Sequence, residues 1–248
     1  MEKPKEEKNN NKPLIIGIDD AGRGPVIGPM CLAGVLIPRE IEEEFRRAGI
    51  KDSKLLTPKK REELVEIIKQ TALDFYHVLL SPADIDTGMG IGVNLNEVEA
   101  MAAANIINNL AGKLNEEQKK NLVIIIDCPS TNPNAWINIL MKYVKKENQH
   151  IRLRAEHKAD FHYPSVSAAS IIAKTTRDSE IEKLKKEVGF DFGSGYPADP
   201  ATKEALEKHA VELKKHRLIR ESWQTWKNIS GENNKEAKKG GKQTKLFE

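Results

Sequence analysis

Residues 14–37, LIIGIDDAGRGPVIGPMCLAGVLI, are the stretch of the sequence that decides the fold. The stretch opens with an apolar run at residues 14–18 that meets two adjacent acids, Asp19 and Asp20. A short apolar run bounded by turn residues is typical of a buried strand. A second apolar run at residues 30–37 predicts another strand, which Pro38 ends. We therefore expect two strands joined by a glycine-rich turn, with a pair of carboxylates where the first strand stops.

Further strands and helices are predicted by the pattern of apolar residues along the rest of the chain. Strands are expected at 73–80, 122–126 and 151–156. Helices are expected at 39–48, 58–70, 95–112, 133–147, 164–187, 200–215 and 219–229. The run LVIII at 122–126 is typical of a central strand buried on both faces, and the alternation at 151–156 favours an edge strand. Strands and helices mixed early and helices alone late predict the α/β class, with a helical C-terminal part.

Composition narrows the class of protein further. Apolar residues make up 39% and charged residues 31% of the 248 residues, and the net charge is only +3. A nucleic-acid footprint would therefore have to come from local clusters of charge.

Cys31 and Cys128 lie in or beside apolar runs, which favours buried thiols over a disulfide or a zinc site. No apolar run reaches the ~18 residues that span a membrane, and the N-terminus does not resemble a signal peptide, so a cytoplasmic protein is expected.

Four carboxylates stand where strands end. Asp19, Asp20 and Asp127 follow apolar runs directly, and Asp160 lies a few residues beyond a third run. Ligands of open α/β sheets bind beyond the carboxyl ends of the strands, so these acids are expected to converge. Converging carboxylates repel one another and need a cation, and hard oxygen ligands select Mg²⁺ or Mn²⁺. Two such ions form the usual clamp for cleaving a phosphodiester.

The alternative for each acid is structural. A single Asp after a strand is usually a turn former or a helix cap. The adjacent pair Asp19 and Asp20 is harder to explain in that way, because neighbouring acids at the end of a buried strand cost stability when they have no partner.

The chain resembles type 2 ribonuclease H, ribonuclease HII, from about residue 14 to 228. Its motifs are most similar to those of archaeal members. Six pieces of sequence carry the resemblance: GIDDAGRGPVIGPM at 17–30, KDSK at 51–54, Asp127 with STN at 130–132, EHKADFHYPSVSAASIIAK at 156–174, GSGYP at 193–197, and Trp223. The resemblance implies an RNase H-like fold with a mixed five-stranded sheet. It also implies a catalytic domain at 13–190 and a helical substrate-binding segment at 191–229. The polar, charged composition of the two ends separately predicts a disordered tail at 1–12 and a flexible tail at 230–248.

The resemblance further implies Mg²⁺- or Mn²⁺-dependent hydrolysis of the RNA strand of RNA–DNA hybrids. Cleavage would fall on the 5′ side of a ribonucleotide, including one embedded in duplex DNA, and would leave a 3′-hydroxyl and a 5′-phosphate. Carried over by position, the catalytic, metal-binding acids are Asp19, Asp20, Asp127 and Asp160. The family usually has Glu where this chain has Asp20, whose carboxylate is one methylene shorter. Activity is expected to survive, because charge and ligand type are kept.

Substrate contacts are expected from seven residues: Gly22, Arg23, Gly24, Tyr196, Lys51, Ser53 and Lys54. Glycines let the backbone approach a sugar closely, and backbone groups can then bond a 2′-hydroxyl whatever the base. The tyrosine ring can stack on a sugar or base, and Lys51, Ser53 and Lys54 can contact phosphates. The alternatives are a tight turn, a tyrosine that anchors its loop and solvated lysines.

The C-terminal tail resembles a short sliding-clamp-binding peptide through Gln243, Leu246 and Phe247, with a frayed end as the alternative. Two other functions remain open for the chain, a nuclease of the same fold that resolves DNA junctions and a hybrid-binding protein without turnover. No feature indicates more than a monomer or any membrane partner.

Overall fold

The sheet is the centre of the fold. The computed structural model describes residues 12–51 and 56–231, and these residues include five strands in a single sheet. The strands are β1 (Leu14–Ala21), β2 (Met30–Pro38), β3 (Asp74–Leu80), β4 (Leu122–Asp127) and β5 (Arg152–Glu156), in the order β3-β2-β1-β4-β5. β1 pairs antiparallel with β2 and parallel with β4, and β4 pairs parallel with β5. The predicted α/β class, the mixed five-stranded sheet and the edge position of β5 are confirmed.

The helices of the described residues are α1 (Ile41–Arg47), α2 (Pro58–Thr71), α3 (Pro82–Gly90), α4 (Leu95–Ala111), α5 (Glu116–Lys120), α6 (Pro133–Met141), α7 (Ala159–His162), α8 (Pro164–Val188), α9 (Pro200–Lys208), α10 (Ala210–Lys215) and α11 (Gln224–Ser230). Thr57 caps α2 by accepting a hydrogen bond from Lys60 N–H, and Pro58 opens the helix, as predicted. The expected helix at 133–147 ends earlier, at Met141, and the expected helix at 200–215 is interrupted at His209.

β1 is longer than the sequence indicates. The expected end at the acid pair is wrong, because Asp19 and Asp20 stay in register with Ala33 and Leu32 of β2 and the strand runs on to Ala21. The carboxylates therefore project from a rigid, paired backbone rather than from a turn.

The close approach of β1 and α8 depends on Gly17. A Cβ built at Gly17 would lie 2.3 Å from the carbonyl carbon of Ser165 in the first turn of α8. Only a residue without a Cβ fits between strand and helix at this point. The contact sets α8 against β1, two residues before Asp19.

The described chain divides into two compact units. The first unit comprises the described residues up to Ala21, Cys31–Leu79 and Leu95–Asp178, and its core includes Ile15, Val35 and Ile171. The second unit comprises Gly22–Met30, Leu80–Asn94 and the described residues from Ser179 onward, and its core is built around Phe192, Leu206 and Trp226. The division at residue 190 between a catalytic domain and a substrate-binding segment stays a prediction.

Two smaller expectations concern the cysteines and the membrane. Cys31 and Cys128 are buried thiols that form no disulfide, as predicted. Burial raises the pKa of the Cys31 thiol to about 12, so this thiol is protonated at neutral pH. None of the helices in the described ranges is long and apolar enough to cross a bilayer.

Candidate active site

Three of the four predicted acids interact at one end of the sheet in the first unit. Ile18 of β1 pairs in parallel with Ile126 of β4, so Asp19 and Asp127 occupy the next positions of neighbouring strands. Burial raises the pKa of Asp19 well above its ordinary value, and the negative charges of Asp20 and Asp127 raise it further. The convergence of these carboxylates, expected from strand order, is present.

Hydrogen bonds hold the Asp19 carboxylate in place. The Asp20 N–H donates to Asp19 Oδ1 over 2.7 Å. The Ser170 hydroxyl of α8 also hydrogen-bonds to Asp19, which lowers the pKa and partly offsets the effect of burial. Lys174 Nζ in turn donates to Ser170 Oγ over 3.0 Å. A chain of hydrogen-bond donors from α8 thus leads to the buried Asp19 carboxylate.

Asp160 is placed beside β4 by α7. The Ala159 N–H donates to Asp127 Oδ1 over 2.8 Å, which fastens the start of α7 to the end of β4. The preceding residue, Lys158, has a left-handed backbone with φ 58°, and this turn brings the chain back after β5. The Asp160 side chain is buried, with 4% of its surface exposed.

A small cavity lies between the acids. Its volume is about 10 Å³, and its lining includes Asp19, Asp20, Asp127 and Glu99. Glu99 of α4 is buried, with 1% exposed, and was not among the predicted site residues. The available signal was an acid inside a mostly apolar helical stretch, VEAMAAANII at 98–107. The cavity adds a fourth carboxylate to the three that interact.

The carboxylates match a hard divalent cation in donor type. Among residues 12–51 and 56–231, no three His, Cys, Asp or Glu side chains stand in an arrangement that could hold a metal ion. One oxygen of Asp19 and one of Asp127 accept backbone N–H groups instead. A cation would relieve the repulsion that raises the pKa of Asp19, since opposite charge favours the ionised form. In donor type the carboxylate oxygens therefore fit Mg²⁺ or Mn²⁺.

The predicted sugar-reading residues lie together in the second unit. A Cβ built at Gly24 would lie 3.5 Å from Tyr196 Cε1, so the tyrosine ring lies beside that glycine. Gly24 is exposed, and Tyr196 keeps 41% of its surface open. Gly22 has φ 84°, a left-handed conformation that favours glycine. Gly22 is buried, so the backbone of Gly24 and the ring of Tyr196 are the parts open to a ligand from outside.

Of the predicted phosphate-contacting residues, the structure describes Lys51. Lys51 is exposed in the loop after α1, and its N–H donates to Gly49 O over 3.0 Å. Ser53 and Lys54 lie outside the described residues, as do the tail residues Gln243, Leu246 and Phe247.

Comparison with known proteins places the chain in a family. The family model for ribonuclease HII matches residues 16–226. The chain belongs to the ribonuclease HII family. A ribonuclease HII of Methanosarcina barkeri is 43% identical over 227 residues, which cover 88% of this chain and 96% of that protein. As a member of this family, the chain is a nuclease.

Solved structures agree with the family and the fold. The ribonuclease H2 of Pyrococcus horikoshii superposes with a TM-score of 0.74 at 38% identity, covering 90% of this chain and 99% of that one. Ribonuclease HII of Archaeoglobus fulgidus, solved in complex with PCNA, gives a TM-score of 0.73 at 37% identity and covers 85% of this chain and 95% of its own. The resemblance to archaeal ribonuclease HII and the RNase H-like fold are confirmed.

Asp19→Asn is expected to stabilise the metal-free protein at pH 8 by about 1–2 kcal/mol. Because its pKa is raised on folding, Asp19 binds a proton more tightly in the folded chain than in the unfolded one. Stability therefore falls as pH rises from the ordinary value of 3.8 through the raised pKa, and above that pKa the full cost remains. Thermal unfolding in chelator, recorded at about five pH values between roughly 4 and 9, measures the difference in stability between the variant and the parent.

The amide also removes a cation ligand, which supplies the control. Mg²⁺ or Mn²⁺ should raise the Tm of the parent and raise that of Asp19→Asn much less. A variant less stable than the parent at pH 8 in chelator would show that Asp19 carries no uncompensated charge.

Proposed function

We propose that this chain is an endoribonuclease that hydrolyses the RNA strand of RNA–DNA hybrids and cuts on the 5′ side of ribonucleotides embedded in duplex DNA. The observation that carries the proposal is the mutual repulsion of buried Asp19 with Asp20 and Asp127 in a chain of the ribonuclease HII family. Buried acids that repel one another are costly, and their presence together favours a catalytic use with a cation. A cluster of carboxylates suited to a cation, in a chain that belongs to a nuclease family, supports phosphodiester hydrolysis.

The four acids, Asp19, Asp20, Asp127 and Asp160, would hold the metal ions. Held there, two Mg²⁺ or Mn²⁺ ions would supply Lewis acidity for the attacking water and for the leaving 3′-oxygen, and the products would be a 3′-hydroxyl and a 5′-phosphate. The role of the chain is to hold carboxylate oxygens in one orientation. The Ser170 hydroxyl and the Ala159 N–H do so for Asp19 and Asp127 respectively.

Asp20 is the departure from the family pattern within this set. The residue is half-buried and stands in the paired part of β1, so its reach is set by the strand. Glu99 lines the same cavity and brings a further carboxyl group to it. We take Asp20 to serve in place of the longer acid, with charge and ligand type kept.

Recognition of the ribonucleotide is assigned to the backbone of Gly22, Arg23 and Gly24. The exposed ring of Tyr196 beside Gly24 is suited to packing on the neighbouring sugar. Lys51, Ser53 and Lys54 would contact phosphates, which fix register without reading sequence.

A sliding clamp is the proposed protein partner, bound through Gln243, Leu246 and Phe247. The support is the family relative of Archaeoglobus fulgidus solved in complex with PCNA, together with the tail sequence QTKLFE at 243–248. The chain is proposed to act as a monomer in the cytoplasm.

A substrate panel tests the proposal. Four labelled substrates of one sequence are incubated with Mg²⁺, Mn²⁺ or chelator: a long hybrid, a DNA duplex with one ribonucleotide, an all-DNA duplex and an all-DNA four-way junction. We expect metal-dependent cleavage of the first two alone. Cleavage of the junction would instead favour a resolvase, and tight hybrid binding without turnover in either metal would favour a binding protein.

A further inference from the structure

Arg220 is a buried cation whose side chain is aimed at one loop. Its side chain is fully buried in the second unit, with 0% exposed. The guanidinium donates three hydrogen bonds to backbone carbonyls: Nε to Gly28 O over 3.0 Å, Nη1 to Arg23 O over 2.9 Å and Nη2 to Gly22 O over 2.7 Å. All three acceptors belong to residues 22–28, here called the glycine loop.

The segment that carries Arg220 is itself held firmly. Its backbone N–H donates to Val26 O over 2.9 Å, and Ile219 bridges Ile27. The Asp86 carboxylate of α3 accepts from the next two backbone N–H groups, Glu221 over 2.7 Å and Ser222 over 3.0 Å. The guanidinium also lies 4.9 Å from the centre of the Trp223 ring. Arg220 is therefore a fixed point against which the loop is aligned.

The glycine loop needs such a fixed point. Gly22 and Gly28 have φ values of 84° and 87°. Glycine adopts this left-handed region about as readily as the ordinary one, so its own preference does not fix the loop in one conformation. Burying a charge is costly, and an apolar side chain of similar volume could fill the same space. Arginine differs in carrying five N–H donors in a rigid fork that can fix several acceptors at once. The residue's distinctive contribution is thus the geometry of the loop rather than the filling of the core.

We propose that Arg220 is a positioning residue for ribonucleotide recognition. By fixing the carbonyls of Gly22 and Arg23, Arg220 holds the backbone that flanks Gly24 in the one conformation that can bond a 2′-hydroxyl. This inference rests on the proposed function, which assigns the reading of the sugar to these residues. Arg220 acts through the loop and contacts no reacting atom.

Equilibrium binding in the full-length Asp127→Asn background, where turnover is blocked, tests the inference. The measured quantity is the ratio of Kd values for an all-DNA duplex and for the same duplex with one ribonucleotide. Arg220→Met keeps an unbranched apolar stem and loses all three hydrogen bonds. The ratio is therefore expected to fall about tenfold, which corresponds to the net free energy of one or two well-formed hydrogen bonds. Arg220→Lys keeps the charge without the fork, and its ratio should lie between those of the parent and Arg220→Met.

The control is Arg217→Met, which removes the same charge from an exposed position three residues earlier. Its ratio should match the parent's, while circular dichroism and Tm report folding for every variant. A folded Arg220→Met with the parental ratio would overturn the inference. Should that variant not fold, an unchanged ratio in Arg220→Lys would overturn it equally. A parent that binds both duplexes alike would sink the proposed function, and the inference with it.

Discussion

Asp127→Asn lowers kcat on a ribonucleotide-containing duplex by about 10³-fold or more, the scale seen when a central group of an active site is removed. The amide keeps an Oδ1 that can accept the Ala159 N–H, so the attachment of α7 to β4 should survive. What is lost is one negative charge and one hard anionic ligand at the point where Asp19, Asp20 and Asp127 interact. Single-turnover cleavage at saturating Mg²⁺ measures the effect.

The matched control is Glu62→Gln, the same chemical change on the exposed face of α2. That variant should retain parental activity. The Tm of Asp127→Asn in chelator should equal or exceed the parental value, because a repulsive charge has been removed. An Asp127→Asn protein that keeps more than about a tenth of the parental rate would place the reaction elsewhere, given the scale expected for a central group.

Gly17→Ala lowers the free energy of unfolding by about 3 kcal/mol or more, at the upper end of overpacking effects. The new Cβ would meet the carbonyl carbon and oxygen of Ser165 at 2.3 and 2.4 Å, and backbone atoms cannot turn aside as a side-chain end can. At about 2–4 °C per kcal/mol for a chain of this size, the Tm should fall by roughly 6–12 °C. Thermal unfolding in chelator measures the effect.

Gly90→Ala is the control for that substitution. A Cβ at Gly90, the last residue of α3, meets nothing within 4 Å, and the Tm should stay at the parental value or rise slightly. A Gly17→Ala protein within about one degree of the parent would show that β1 and α8 separate at far lower cost than overpacking implies.

The edge of the sheet where the acids meet could be predicted because its causes are local. Apolar runs at 14–18 and 122–126 each end at an acid, and the carboxyl ends of neighbouring parallel strands necessarily share one edge. The true length of β1 could not be predicted in the same way. Its last residues are strand because β2 pairs with them, and pairing is a tertiary effect that overrides the local turn signal.

α3 was missed although its start has a local signal. Ser81 and Asp84 form a reciprocal capping box, and Pro82 opens the helix. The two glycines that follow, Gly88 and Gly90, lower the helix propensity of the segment and hide that signal.

The roles of Glu99 and Arg220 could not be predicted, because the residues that they contact are distant in the sequence. Glu99 reads as a lone acid on an apolar helix, and only the fold reveals that it lines the cavity of Asp19 and Asp127. Arg220 stands amid Leu218, Ile219 and Trp223, yet its hydrogen-bond acceptors are more than 190 positions away. A charged residue in an apolar stretch indicates that its charge has a partner in the fold, but it does not indicate which residue that partner is.

The most direct measurement maps the cleavage position in a DNA duplex that carries one ribonucleotide, labelled at either end of the ribonucleotide-containing strand, with Mg²⁺ and wild-type protein. We expect one cut, immediately 5′ of the ribonucleotide, with a 3′-hydroxyl that a DNA polymerase extends and a 5′-phosphate that a ligase accepts. A cut on the 3′ side of the ribonucleotide, or cuts of equal strength in the matched all-DNA strand, would contradict ribonucleotide-directed hydrolysis by these acids.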